Sequence, residues 1–362
     1  MSLNHSPAVV TNGLVMYYDM GNTQKSWKGA PATNLVTNPT YEANPNATGN
    51  EFVQWGDLAP IFNTYGTTGV VYSLSFDLKS KIAGPVTTYM QNGSATKYAF
   101  VYQSINATTE YQRFTINGLS ASIQNGAETL AMLAFYGVYG TGRIASIKNV
   151  QVEINPFATP FINGTRANTQ SLLDLTNNNT LTATSLTYAA NNTFSFNGSS
   201  NWIESPSSTL FDTQAVTMES WVKPAALSQN GFLFEKGLVN SQYSNFFQGV
   251  NFIFRTYAIS NTDLTFVVAT YITLNQWNHI VCTYGSGVKT IYVNGIQVAQ
   301  ATGITGTLNT NQGNQYIGKY GSLSGTPYPF SGSIGVSKVY NRSLSAAEVS
   351  QNFNALRGRY GI

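Results

Sequence analysis

The chain has 362 residues, of which only 9% are charged, with a net charge of +3, 13% aromatic residues and one cysteine. That length has room for two or three domains with cores of their own, and so many rings exclude a disordered chain. The lone Cys282 excludes a disulfide framework or a cysteine-based zinc site, the small net charge without a Lys/Arg block excludes a nucleic-acid partner, and no apolar run reaches the ~20 residues of a membrane span.

In chain order, Met1–Met16 lacks the basic start and apolar core of a secretory signal. Val70–Lys79 (VVYSLSFDLK) sets Tyr72, Leu74, Phe76 and Leu78 in alternation with Ser73, Ser75, Asp77 and Lys79. That period of two predicts a half-buried strand. Similar runs recur at Tyr111–Ile116, Leu130–Tyr136, Ile144–Glu153, Asn251–Tyr257, Leu264–Thr270, Ile280–Tyr284 and Thr290–Val298. Asn-Gly, Gly-Ser and Gly-Thr pairs between them supply the positive φ of tight turns. Many short strands at this spacing predict an all-β sandwich, not βαβ units. The one helix signal comes late: Ser345–Glu348 forms a capping box, Val349, Phe353 and Leu356 share a face, and Gly358 is the expected stop.

Ionic chemistry is thinly supplied. Glu204, Asp212, Glu219, Glu235, Asp263 and Glu348 are scattered, without the paired carboxylates that glycoside hydrolysis needs. No nucleophile elbow, zinc-binding His pair or phosphate loop occurs, so no enzyme activity is expected. Of the two histidines, His5 and His279, the second lies in WNHIVCTY and reads as packed, with Cys282 as a small buried hydrophobe. Sugar binding needs rings that stack on pyranose faces and amides that meet hydroxyls. The loops FYGVYGTG and YGSLSGTPYPF offer Tyr136, Tyr139, Tyr320 and Tyr328, and Trp55 with Asp57 forms a third candidate. The alternative is that these rings pack across sheet edges or line a subunit contact.

Several segments resemble known families. FSFNGSSNWI (Phe194–Ile203), VTMESWVKP (Val216–Pro224), WNHIVCTY (Trp277–Tyr284), TIYVNGIQV (Thr290–Val298) and FSGSIGVSKVYNRSLSAAEV (Phe330–Val349) resemble the laminin-G-like branch of the concanavalin A-like jelly rolls. The resemblance implies that Trp221 and Trp277 fill the core between two sheets. NLVTNPTYE (Asn34–Glu42) and SIKNVQVE (Ser146–Glu153) resemble the first and last strands of carbohydrate-binding modules of the family 4/9 type. The two resemblances imply two antiparallel jelly-roll β-sandwiches with one short C-terminal helix.

The laminin-G-like pattern opens with a strand such as GLVMYYDMGN (Gly13–Asn22), followed shortly by D-L-S/T-x-N, which arrives here only at Asp174-Leu175-Thr176 with Asn177. Residues 34–156 are therefore expected as an insertion, 157–170 as a linker and 171–362 as the second jelly roll. Segment 1–33 would supply that jelly roll's first strand, or else form a free arm. Both families often hold a structural calcium, but Gly335, Val336 and Lys148 stand where acids are usual. That disfavours the ion, and no cofactor is expected. The ending YNRSLSAAEVSQNFNALRGRYGI resembles those of bacteriophage virion proteins, especially of cyanophages. The resemblance implies a virion surface protein assembled in the host cytoplasm, with other virion proteins, a host-surface glycan and further copies of itself as partners, and no membrane insertion. Its role would be glycan-mediated adhesion or, alternatively, structural decoration.

Overall fold

The computed structural model describes residues 7–22, 25–43, 52–65, 69–92, 102–120, 130–184, 187–188, 194–237, 242–257, 259–260, 263–310, 313–321 and 328–362; His5 lies outside them. The chain divides into two compact units, Met1–Ala30 with Asn168–Ile362, and Pro31–Ala167.

The larger unit is a sandwich of two antiparallel sheets. The first runs Thr187–Tyr188, Phe194–Asn197, Ser331–Tyr340, Val216–Pro224, Asn278–Gly285, Val288–Val293, Ile296–Ala301. The strand Ser331–Tyr340 pairs along its other edge with Phe194–Asn197 in its first half and with Leu14–Asp19 in its second. The second sheet runs Thr182–Thr184, Trp202–Ser205, Gln315–Ile317, Gln229–Lys236, Tyr243–Gly249, Asn251–Thr256, Asp263–Val267. Between them lie Trp27, Phe194, Phe211, Leu233, Phe252 and Ile280, with Trp27 edge-on to Phe194 at 4.3 Å.

The D-L-T-x-N motif has a physical task in this unit. Asp174 is buried, and its Oδ1 accepts the Tyr17 and Thr176 N–H groups. Its Oδ2 accepts from Thr176 Oγ1 and Asn179 Nδ2, and Asn179 also donates to the Val15 carbonyl at 2.8 Å. One carboxylate thus fastens Leu14–Asp19 to a segment 150 residues further on. Asp174→Ala should cost about 3 kcal/mol, because it removes several charge-assisted bonds from a buried carboxylate and leaves the partly buried Tyr17 N–H without its acceptor. Urea unfolding checks this, and a loss under about 1 kcal/mol would contradict it.

The helix Ala346–Tyr360 has the expected capping box, with Ser345 and Glu348 bonded reciprocally. It overruns Gly358 and stops at Gly361, which takes the left-handed φ of 74°. The extra turn is held by packing: Tyr360 stacks on Trp221 at 4.4 Å and meets Trp277 at 4.6 Å. Trp221 and Trp277 therefore lie beneath this helix, on the outer face of the first sheet, and the inter-sheet core is filled without them. A Cβ on Gly335 would collide with the Tyr360 hydroxyl, which accounts for a glycine where acids were expected. Among the described residues two further short α-helices occur, Ala59–Tyr65 and Val268–Tyr271. The second of them ends the expected Leu264–Thr270 strand at Val267.

The smaller unit pairs a four-stranded sheet with a three-stranded one. The first has the order Phe52–Asp57, Ala131–Gly137, Gly84–Asn92, Tyr102–Ala107, and the second Gln112–Ser120, Val71–Ser80, Ala145–Glu153. Tyr72, Leu74, Phe76 and Leu78 fill the core, with Phe76 edge-on to Phe135 at 5.0 Å. The polar face of Val71–Ser80 is covered too, since Ser73 and Ser75 are fully buried. Segment 157–166, expected as linker, lies over this sheet. Thr159 donates through N and Oγ1 to both oxygens of buried Glu153, and Thr165–Arg166 pairs with Ala32–Thr33.

Candidate functional site

The second sheet of the larger unit carries a cleft of about 310 Å³ on its outer face, within the size range of small-molecule sites. Its floor is built by a strand irregularity. Phe232 pairs with Phe246 and Phe234 with Asn245, so Leu233 is an extra residue in Gln229–Lys236. The bulge turns Phe232 outward while Leu233 and Phe234 both enter the core. Phe232 stacks on Phe246 at 4.3 Å, Tyr320 packs on Phe232 at 5.0 Å, and Tyr328 stands 6.3 Å from Tyr320. Asn230 and Gln248 supply amides at one end, and Arg255 and Tyr257 close the other. Arg255 donates to both oxygens of Asp263 at 2.7 Å, with its guanidinium 5.1 Å from the Phe246 ring centre. Those hydrogen bonds raise the Arg255 pKa further, so the pair is a fixed, charge-neutral wall.

Tyr328 is strained in this wall. It has φ 43°, a left-handed conformation that a residue with a Cβ adopts at a cost of order 1 kcal/mol. Phe232 holds it there by donating its N–H to the Tyr328 carbonyl at 3.2 Å, and 43% of Tyr328 remains exposed.

Beside the cleft a polar row crosses the sheet, in register from Glu204 through Tyr316, Glu235, Ser244 and Arg255 to Asp263. Glu235 is only 1% exposed, and the hydrogen-bonding group that acts on its carboxyl is the Gly321 backbone. Burial drives its pKa up to about 9, outweighing the opposite pull of the Gly321 backbone and Arg255. It is a neutral acid at pH 7.

The sequence candidates occupy different surroundings. Tyr320 and Tyr328 meet in the cleft. Trp55 is buried, donating Nε1 to the Tyr41 carbonyl at 3.0 Å. Asp57 accepts the Ala59 and Ala131 N–H groups at 2.9 and 2.8 Å, fastening a helix start to the neighbouring strand. Both are committed to the fold beside a shallow pocket that they share with Tyr41 and Pro60. Tyr136 faces the opposite side of that sheet, opposite Phe52 and Thr87, and Phe52 lies 6.3 Å from Tyr89. Tyr139 tops the next turn at 79% exposure. His279 and Cys282 are fully buried, and burial pushes the Cys282 thiol up to about 12. Around Lys148, the Tyr111 hydroxyl donates to Glu42 at 2.7 Å, while Lys148 and Lys79 stand 4.0 and 4.5 Å from the Tyr111 ring centre. Two ammonium groups thus occupy the surroundings of the acid.

Sequence reasoning missed Phe232, Phe246 and Arg255. The signal was the acid inside the apolar run FLFEK, which an unbroken alternation does not explain.

No curated protein matches the chain in sequence. Among solved structures it is similar to the binding domain of botulinum neurotoxin serotype G, at 17% identity and TM-score 0.41, covering 51% of this chain and 48% of that one. It is also similar to the binding domain of Paraclostridial Mosquitocidal Protein 1, at 18% identity and TM-score 0.39, covering 51% and 49%. The binding domain of botulinum neurotoxin DC in complex with SialylT matches at 15% and 0.37, covering 52% and 50%. The chain thus spans about half the length of these structures. Residues 197–350 match the laminin-G-type model of the concanavalin A-like lectin/glucanases superfamily, and the strands in that stretch build most of the larger unit's sandwich, a jelly-roll, lectin-like fold.

Proposed function

We propose that this chain is a non-enzymatic adhesion protein whose cleft binds a neutral saccharide, and that it works on the surface of a bacteriophage virion. Tyr328 carries the saccharide reading. A tyrosine held at φ 43° and 43% exposed, above the Phe232–Phe246–Tyr320 cluster, is backbone strain spent on presenting a ring. The charge-neutral Arg255–Asp263 wall and the amides of Asn230 and Gln248 suit hydroxyl groups better than an ionised ligand. The lectin-like fold supports the same reading. The virion setting rests on the C-terminal sequence resemblance, with other virion proteins and further copies of the chain as partners.

A glycan array probed with the full chain should return neutral saccharides. Tyr328→Ala should weaken the best of them about tenfold, the equivalent of about 1.4 kcal/mol of lost ring contact. No binding by the native protein would favour the role of structural decoration. Unchanged binding by the variant would remove the cleft from the site.

A further inference from the structure

Beneath the C-terminal helix, three reactive side chains meet without access to water. Lys338, Glu219 and Asn352 are each fully buried. Lys338 Nζ donates to Glu219 Oε1 at 2.7 Å, and Asn352 Nδ2 donates to Glu219 Oε2 at 2.6 Å. The amide oxygen, Asn352 Oδ1, accepts the Val10 N–H at 2.7 Å. An amine, an amide and a carboxylate that bridges them are the parts needed for amide exchange, with a backbone donor already on the carbonyl oxygen. We propose that Lys338 and Asn352 become joined by an intramolecular amide bond, formed with Glu219 as proton carrier.

The chemistry balances with no further reactant. The Lys338 ammonium passes one proton to Glu219 at Oε1, and the neutral amine attacks Cγ of Asn352. The charge that develops on Oδ1 is held by the Val10 N–H, an oxyanion donor in place beforehand. As the tetrahedral intermediate collapses, the C–Nδ2 bond breaks and the carboxyl group, already bonded to Nδ2, hands over its proton. The departing nitrogen leaves as ammonia. The second proton shed by the lysine nitrogen remains on Glu219, which ends as the neutral acid. Two buried charges are thereby eliminated, which burial favours.

At rest the pair is ionised. Burial raises the Glu219 pKa, but Lys338 and His279, whose Nε2 lies 3.1 Å from Oε1, together hold it down at about 2. The first proton transfer is therefore uphill, and the reaction is slow. It has to occur only once per molecule, among groups whose positions are fixed by the fold. Exclusion of water protects the product from hydrolysis. The bond would tie Ser331–Tyr340, the strand shared by three others, to the helix that covers it.

Intact-mass measurement of the purified full chain tests this directly. The native protein should be lighter than its sequence by one ammonia, with the peptides containing Lys338 and Asn352 recovered as a single branched species. Cyclisation at an Asn-Gly pair loses ammonia as well, so the branched peptide decides. Lys338→Arg and Glu219→Gln should show full mass. A native chain of full mass after prolonged incubation, or one lacking ammonia but yielding the two peptides separately, would overturn the proposal whether or not the variants fold.

Discussion

Trp221→Ala should lower the stability of the larger unit by about 3–5 kcal/mol, the range for removing a fully buried aromatic side chain. Trp221 has no exposed surface and three ring neighbours: Tyr360 at 4.4 Å, His279 at 4.9 Å and Phe353 at 5.8 Å. Its Nε1 has no hydrogen-bond partner among the described residues, so truncation removes packing and strands no polar group. The void would open under the last turns of Ala346–Tyr360, where Tyr360 and Phe353 both stack on this indole. Urea unfolding of native protein and variant measures the difference, followed by circular dichroism because the substitution removes one of the five tryptophans that give the fluorescence signal. Trp221→Phe should recover part of the loss. A cost near 1 kcal/mol would mean that the helix adds little to the sandwich.

How much of this was legible in the sequence follows from which interactions are local. The capping box at Ser345–Glu348 and the turn at Asn294-Gly295, with φ of 51° and 78°, are set by adjacent residues and were readable. The helix end was not, because Gly358 is overridden by Tyr360 packing on Trp221, a contact across nearly 140 residues. The same contact moved both tryptophans from the expected inter-sheet core to the outer face, since periodicity says which residues share a face but not which face is inside. Ser73 and Ser75 read as solvent-facing, yet both are fully buried, and Arg113 on the neighbouring strand donates to the Ser75 hydroxyl. In the candidate site, Tyr320 and Tyr328 were visible as glycine-flanked rings in a loop. Phe232 and Phe246 were hidden in apolar runs, where one bulged residue decides which phenylalanine lies on the outer face of the sheet. Trp55 and Asp57 carry duties that the sequence did not show, as a core residue and a backbone tie, while both still line a pocket.

Glu235→Gln should stabilise the larger unit, by on the order of 3 kcal/mol at pH 7, and should remove much of its loss of stability toward alkaline pH. The folded protein holds the Glu235 proton up to a pKa of about 9, against an ordinary value of 4.5 in the unfolded chain. Between those values the folded state carries a proton that the unfolded state has released. The contribution of Glu235 is therefore fully present below pH 4.5, declines as pH rises, and is lost above about 9. Glutamine has nearly the same shape, is neutral throughout, and asks the same buried surroundings to accept an amide instead of an acid. Native protein and variant should accordingly differ least near pH 4.5 and diverge steadily from pH 5 to 8. Urea midpoints at four or five pH values give the comparison, and taking the difference cancels titrations common to both. Parallel pH profiles would show that Glu235 ionises freely in the folded state, through water or a movement of Gly321 and Tyr320. In that event the polar row beside the cleft is open to solvent, and the cleft extends over it.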